Sequence, residues 1–123
     1  MPDWSLYPNF SREEFDSPDA PGSGNNMHPD FLLRLQRLRN RCRFPFQINS
    51  GFRTPEHNAA INGASNSAHT RGRAADIACT DWRQRYALIY GAEAVGFRRI
   101  GIAKTFIHLD DDPTLSAQVA WTY

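Results

Sequence analysis

Two histidines and an aspartate in this chain have the types and spacing for metal chemistry. Residues 67–76 read SAHTRGRAAD, which sets His69 and Asp76 seven positions apart with Gly72 and small residues between them. A second histidine, His108, stands in the apolar stretch FIHLD at 106–110. Two imidazoles and one carboxylate make a common open zinc set, with water in the fourth position. A closed structural site uses four protein ligands, usually including cysteine. Cys42 and Cys79 fall on apolar positions of periodic segments. They read as buried, reduced thiols and not as a disulfide framework or a CxxC site.

Spacing alone leaves a second reading open. A histidine on a strand is commonly a packed, hydrogen-bonded residue, and H-x6-D is a weaker pattern than H-E-x-x-H, which is absent here. The surroundings of Asp76 add to the metal reading. A buried carboxylate without a partner is costly, and Asp76 falls in the otherwise apolar run AADIAC. Ala74 and Ala78 on either side leave room beside it.

The elements that must position these residues follow from periodicity. As a strand, FIHLD sets Phe106, His108 and Asp110 on one face and Ile107 and Leu109 on the other. In AADIAC, Ala75, Ile77 and Cys79 face one way and Ala74, Asp76 and Ala78 the other. His69 falls in a loop made permissive by Gly72. Upstream, Ser11 and Glu14 form a capping box that opens a short helix, and residues 16–28 are a Pro/Gly/Asn/Ser loop. Pro29 starts a helix whose Phe31, Leu35, Leu38 and Cys42 recur at helical spacing. PFQINSG is a strand, and Thr54 caps a short helix that begins with Pro55. Asp81 caps a helix through residue 95, with Tyr86, Ile89, Tyr90 and Ala94 as its expected apolar stripe and Gly96 as its stop. FRRIGIA and AQVAWTY are further strands. Strands and helices mix without strict alternation, which predicts an α+β fold: a small antiparallel sheet flanked by helices.

With 123 residues, 41% of them apolar and 22% charged, the chain reads as one domain over 1–123. A net charge of +1 gives no general reason to expect nucleic acid. Arg34, Arg37, Arg39, Arg41 and Arg43 cluster about the first long helix. They read as a solvated face, with attraction to an anionic polymer as the alternative. The start, MPDWSLYPNF, lacks the basic and apolar regions of a signal peptide, and no run approaches the length of a membrane span. The expectation is a monomer made in the cytoplasm, with no stable membrane association.

The motifs around the three candidate ligands resemble those of the zinc D-Ala-D-Ala carboxypeptidase-like murein peptidases. SAHTRGRAADI fits S-x-H-x-x-G-x-A-x-D-I, and INSGFRTPEHN looks like the upstream S-G-Y/F-R-x-P-x-x-N stretch. GIAKTFIHLD resembles the closing strand. Order and spacing agree over roughly residues 8–112, and the likeness is to the compact branch found in phage endolysins and bacterial murein endopeptidases. It implies a fold shared with the Hedgehog signalling domain, zinc (Zn2+) held by His69, Asp76 and His108, and cleavage of peptide bonds in peptidoglycan stem peptides or cross-links.

On that likeness Arg53 clamps a substrate carboxylate or polarises the scissile carbonyl, for which its forked guanidinium is suited; a surface ion pair is the other reading. Ser67 matches a serine that lines the site, and equally serves as a loop cap. His57, near Arg53 in the chain, is a further candidate for substrate contact, against a structural or surface role. The positions that carry a general base in other branches are Thr105 and Ala103 here. Asp110, on the His108 face, is therefore the candidate base, with the alternative that it fixes a ligand imidazole. Asp111 and Asp112 read as a solvated turn before Pro113. A phage endolysin released through a holin-type pore reconciles cytoplasmic synthesis with a wall substrate. The competing reading is an inactive, zinc-containing wall-binding or virion module of the same fold.

Overall fold

The strands expected from alternation form one five-stranded sheet in the computed structural model, which describes residues 1–123. They are β1 (Ile48–Ser50), β2 (Ala74–Ala78), β3 (Arg99–Ile102), β4 (Phe106–Asp110) and β5 (Val119–Thr122). Their spatial order is β1-β2-β4-β3-β5. Every pairing is antiparallel except that of the edge strand β5, which runs parallel to β3.

Two helices, α1 (Pro29–Cys42) and α3 (Trp82–Ala94), join one face of this sheet in a single core. α1 begins at Pro29, and its cap residue His28 accepts from the Asp30 N–H through Nδ1. Phe31, Leu32, Leu35 and Leu38 of α1 are fully buried with Ala75, Ile77, Ile107 and Leu109 of the sheet. Each large side chain removed from water in this way contributes about 1.5–3 kcal/mol. Asp81 caps α3 as expected, accepting from the N–H groups of Arg83 and Gln84 at 2.8 and 2.9 Å.

The buried face of α3 is not the expected one. Of the expected stripe only Ile89 packs against the core, half-buried; Leu88, Gly91 and Ala92 are buried, whereas Tyr86 and Tyr90 are 71% and 56% exposed and Ala94 is exposed. The cause is the close approach of α1. A Cβ at Gly91 would come 2.8 Å from Leu38 Cδ1, so the helix turns its small residues inward. The two tyrosines stack on each other in solvent.

Two further corrections concern local structure. The Ser11–Glu14 capping box is present, but the segment it opens is a 3-10 turn, Arg12–Phe15. Asp111 and Asp112 are not solvated. Asp111 accepts from Arg34 at 2.7 Å and Arg73 at 3.1 Å, and Asp112 accepts from Arg71. Their side chains are 5% and 1% exposed. Arg34 therefore leaves the solvated cluster, while Arg37, Arg41 and Arg43 remain exposed. Cys42 and Cys79 are free thiols, half-buried and buried.

The N-terminal aromatics secure the segment that leads into the site. The Phe52 N–H donates to the Phe15 carbonyl at 2.9 Å. Gly51 lies so close to Phe15 that a Cβ would come 2.7 Å from its Cα.

Candidate metal centre and cleft

The sheet face turned away from α1 and α3 carries a transverse row of side chains. Ser50 lies opposite Asp76, Asp76 opposite His108, His108 opposite Gly101, and Gly101 opposite Trp121. Directly opposed residues project to the same face, so register alone sets Asp76 beside His108. His69 arrives from a 3-10 turn, Ala68–Arg71, whose cap Ser67 accepts from the His69 N–H at 3.2 Å. Gly72 ends that turn at φ 71°, the left-handed region that favours glycine. A Cβ there would overlap the Asn26 carbonyl.

His69, Asp76 and His108 are buried, and each offers one ligand atom within 4.8 Å of the others. His69 Nδ1–H donates to the Gly51 carbonyl at 2.7 Å. This leaves Nε2 with its lone pair toward Asp76 Oδ1, 3.3 Å away. His108 Nε2–H donates to Asp110 Oδ2 at 2.7 Å, which turns Nδ1 to Asp76 Oδ1 at 2.9 Å. The carbonyl partner fixes the proton of His69 on Nδ1, whereas His108 has a carboxylate oxygen at each ring nitrogen. Each imidazole is held by its outer nitrogen and presents the inner one, as metal-bound histidines are oriented. Two nitrogens and a carboxylate that converge with one side open fit zinc at an open site.

The environment suits His69 to that role, whereas at His108 a metal must displace a proton that the two carboxylates favour. Burial lowers the His69 pKa against the pull of Asp76, which favours the neutral form a ligand needs. Burial would raise the Asp76 carboxyl, but hydrogen bonds and charge from His108 and His69 outweigh it and hold it well below the usual range. For His108, burial acts downward and is outweighed by Asp110 and Asp76, so its pKa is raised.

Arg53 stands behind Asp76. Its three nitrogens donate to Ser50 Oγ at 3.0 Å, Asn58 Oδ1 at 3.2 Å and Asp76 Oδ2 at 3.3 Å. Asn58 is itself buried and donates to the Ala64 carbonyl at 2.8 Å. Asp110 is 1% exposed. Its Oδ1 lies 2.8 Å from Arg99 Nε in an ionic contact that is not an aligned hydrogen bond. With Oδ2 on His108, both oxygens are engaged.

These groups line a cleft of about 480 Å³. Arg53 and Ser67 border it along with the three candidate ligands and Asp110. His57 does not; it is half-buried on α2 (Pro55–Ala60), with its N–H on Thr54 Oγ1. Sequence reasoning missed Arg99, Trp121 and Tyr123, which also border the cleft. One signal was present: an isolated glycine inside a strand, here Gly101, marks the close approach of another group.

No curated protein matches the chain. The family model described as Peptidase M15 matches residues 9–110, a span that contains all three candidate ligands and the elements that orient them. The chain belongs to the M15 peptidases, the D-Ala-D-Ala carboxypeptidase-like family of zinc-dependent metallopeptidases.

Proposed function

We propose that the protein hydrolyses peptide bonds in the stem peptides or cross-links of peptidoglycan, with zinc held by His69, Asp76 and His108. One observation carries this reading. The Gly51 carbonyl and Asp110 turn both imidazoles onto a single point beside Asp76, and the remaining side of that point faces a cleft. A structural site would be closed by a fourth protein ligand.

Zinc, when bound, supplies Lewis acidity that polarises a peptide carbonyl and acidifies water. The chain's own residues do the rest. Arg53 offers charged donors at the cleft wall to a substrate carboxylate or carbonyl oxygen. Ser67 shapes the wall while it caps the turn that carries His69. Of the two roles open to Asp110, the engagement of both its oxygens supports positioning: it holds His108 and is itself held by Arg99. To accept a proton from attacking water, Oδ2 would have to leave His108. Two arginines in one cleft suit a peptide rich in carboxylates, as stem peptides are. The endolysin form of the reading, with release through a holin-type pore, rests on the resemblance of the motifs.

The test is digestion of purified peptidoglycan by the zinc-loaded protein, with the fragments identified by mass spectrometry. New amino termini within stem peptides or cross-links, on intact glycan, are the expected result. New reducing sugar ends would overturn the reading. Absence of any fragment would leave the wall-binding module in its place. Co-expression with a holin should lyse cells that tolerate the protein alone.

A further inference from the structure

All but one of the ionisable side chains that line the cleft have partners described above. His69, Asp76 and His108 face one another, Asp110 is closed between His108 and Arg99, and Arg53 is fixed by Ser50, Asn58 and Asp76. The remaining one is Tyr123.

Its place is built into the sheet. Gly101 stands between His108 on β4 and Trp121 on β5 in the transverse row. A Cβ at Gly101 would lie 2.9 Å from Cε2 and Nε1 of Trp121 and 2.9 Å from Tyr123 Oη. The missing side chain lets the indole lie against His108, with ring centroids 5.4 Å apart. It also lets the phenol reach over the sheet beside that ligand. Phe106 backs the phenol ring at 5.2 Å, and the Arg99 guanidinium lies over the indole at 5.0 Å. Trp121 Nε1, a donor only, and Tyr123 Oη meet over the same glycine, each 2.9 Å from where its Cβ would lie. The Tyr123 hydroxyl makes no hydrogen bond to another residue, and its proton is free to point into the cleft that it borders.

We infer that Tyr123 is a catalytic residue whose Oη–H donates a hydrogen bond to the oxygen that gathers negative charge as the peptide carbonyl is attacked. Gly101 and Trp121 are positioning residues that keep the phenol there. No bond to Tyr123 forms or breaks in this role; it acts as a fixed donor aimed where charge develops. A phenol is protonated at neutral pH, and burial with the charge of Asp76 and Asp110 moves this one further up against Trp121 and Arg53. The inference rests on the peptidase reading above.

Tyr123→Phe removes the hydroxyl and keeps the ring. Loss of one such donor lowers kcat by about 10²–10³, and the variant should show this on a soluble muropeptide with its KM, zinc content and circular dichroism unchanged. A dipeptide phosphinate, whose tetrahedral anionic oxygen stands in for that charge, provides a readout without turnover. It should bind Tyr123→Phe much more weakly than wild type by calorimetry. Gly101→Ala keeps Tyr123 but pushes the phenol aside, and should reproduce both losses. A Tyr123→Phe variant equal to wild type in kcat and phosphinate affinity would overturn the proposal. So would a loss accompanied by missing zinc or altered circular dichroism, which would make the residue structural. If the wild type cleaves no muropeptide, the peptidase reading is what has failed, and this inference falls with it.

Discussion

Arg99 and Asp110 are cross-strand partners on β3 and β4, and Asp110 passes that anchorage on to His108: Oδ1 rests 2.8 Å from Arg99 Nε while Oδ2 accepts from His108 Nε2–H at 2.7 Å. An imidazole of the candidate metal centre is thus held from behind by a carboxylate that is itself held. The ring cannot rotate without breaking a buried, charge-assisted hydrogen bond, worth about 1.5–3 kcal/mol.

Asp110→Asn should therefore lose metal affinity and not rate alone. Outer partners of metal-bound histidines are worth about 10–100-fold in metal affinity. Titration against a chromophoric chelator measures this directly. If Asp110 served instead as the general base, zinc affinity would stay at the wild-type level while turnover fell by about 10²–10⁴.

Protein purified without added metal should carry close to one zinc per chain, and His69→Ala should lose it. Metal that binds only the folded state adds stability by mass action, about 4 kcal/mol at a thousandfold excess over Kd. Chelation should therefore lower the Tm of the wild type and leave that of His69→Ala where it is. A His69→Ala protein that keeps full zinc by elemental analysis would refute the ligand assignment.

Much of this site was legible in the chain before its fold was known. Alternation in AADIAC and FIHLD placed Asp76 and His108 on polar-bearing faces, and the sheet register then set them side by side. Local patterning carried no such information about long-range partners. Asp111 and Asp112 look like a solvated turn because their arginines, Arg34, Arg73 and Arg71, lie 77, 38 and 41 residues away. Tyr86 and Tyr90 satisfy the helical period, but period does not say which face meets a neighbour; Gly91 against Leu38 decides that. Trp121 and Tyr123 enter the cleft only because β5 adds parallel to β3, a pairing for which the local sequence has no signature.

The ion pair between Arg71 and Asp112 ties the turn that carries His69 to the segment after β4. Burial acts upward on the Asp112 carboxyl, but Thr114 and Arg71 outweigh it and its pKa lies below the ordinary value. A carboxyl depressed in the folded state adds stability above its unfolded pKa and loses it as pH falls through the folded one. The advantage of wild type over Asp112→Asn, on the order of 1–3 kcal/mol, should be full above about pH 4 and shrink below it. Urea midpoints of the two proteins, followed from neutral pH downward, test this. A gap that widens on acidification would sink the assignment.

Arg53 is the residue whose two roles most need separating. Its guanidinium reaches Ser50, Asn58 and Asp76 with three different nitrogens, and it also borders the cleft. Lysine keeps the charge but offers one compact ammonium, which cannot span three directions. Arg53→Lys should accordingly bind zinc more weakly, because Asp76 loses an orienting partner. Saturating zinc then distinguishes the roles. If Arg53 serves only to hold Asp76, excess metal restores kcat/KM to the wild-type value. If the guanidinium also meets the substrate, as the proposed function requires, the metal returns and the activity does not. The residual deficit should correspond to a lost charge-assisted hydrogen bond of about 1.5–3 kcal/mol, or roughly ten- to a hundredfold in kcat/KM. Full recovery would confine Arg53 to the scaffold and leave substrate recognition to other residues of the cleft.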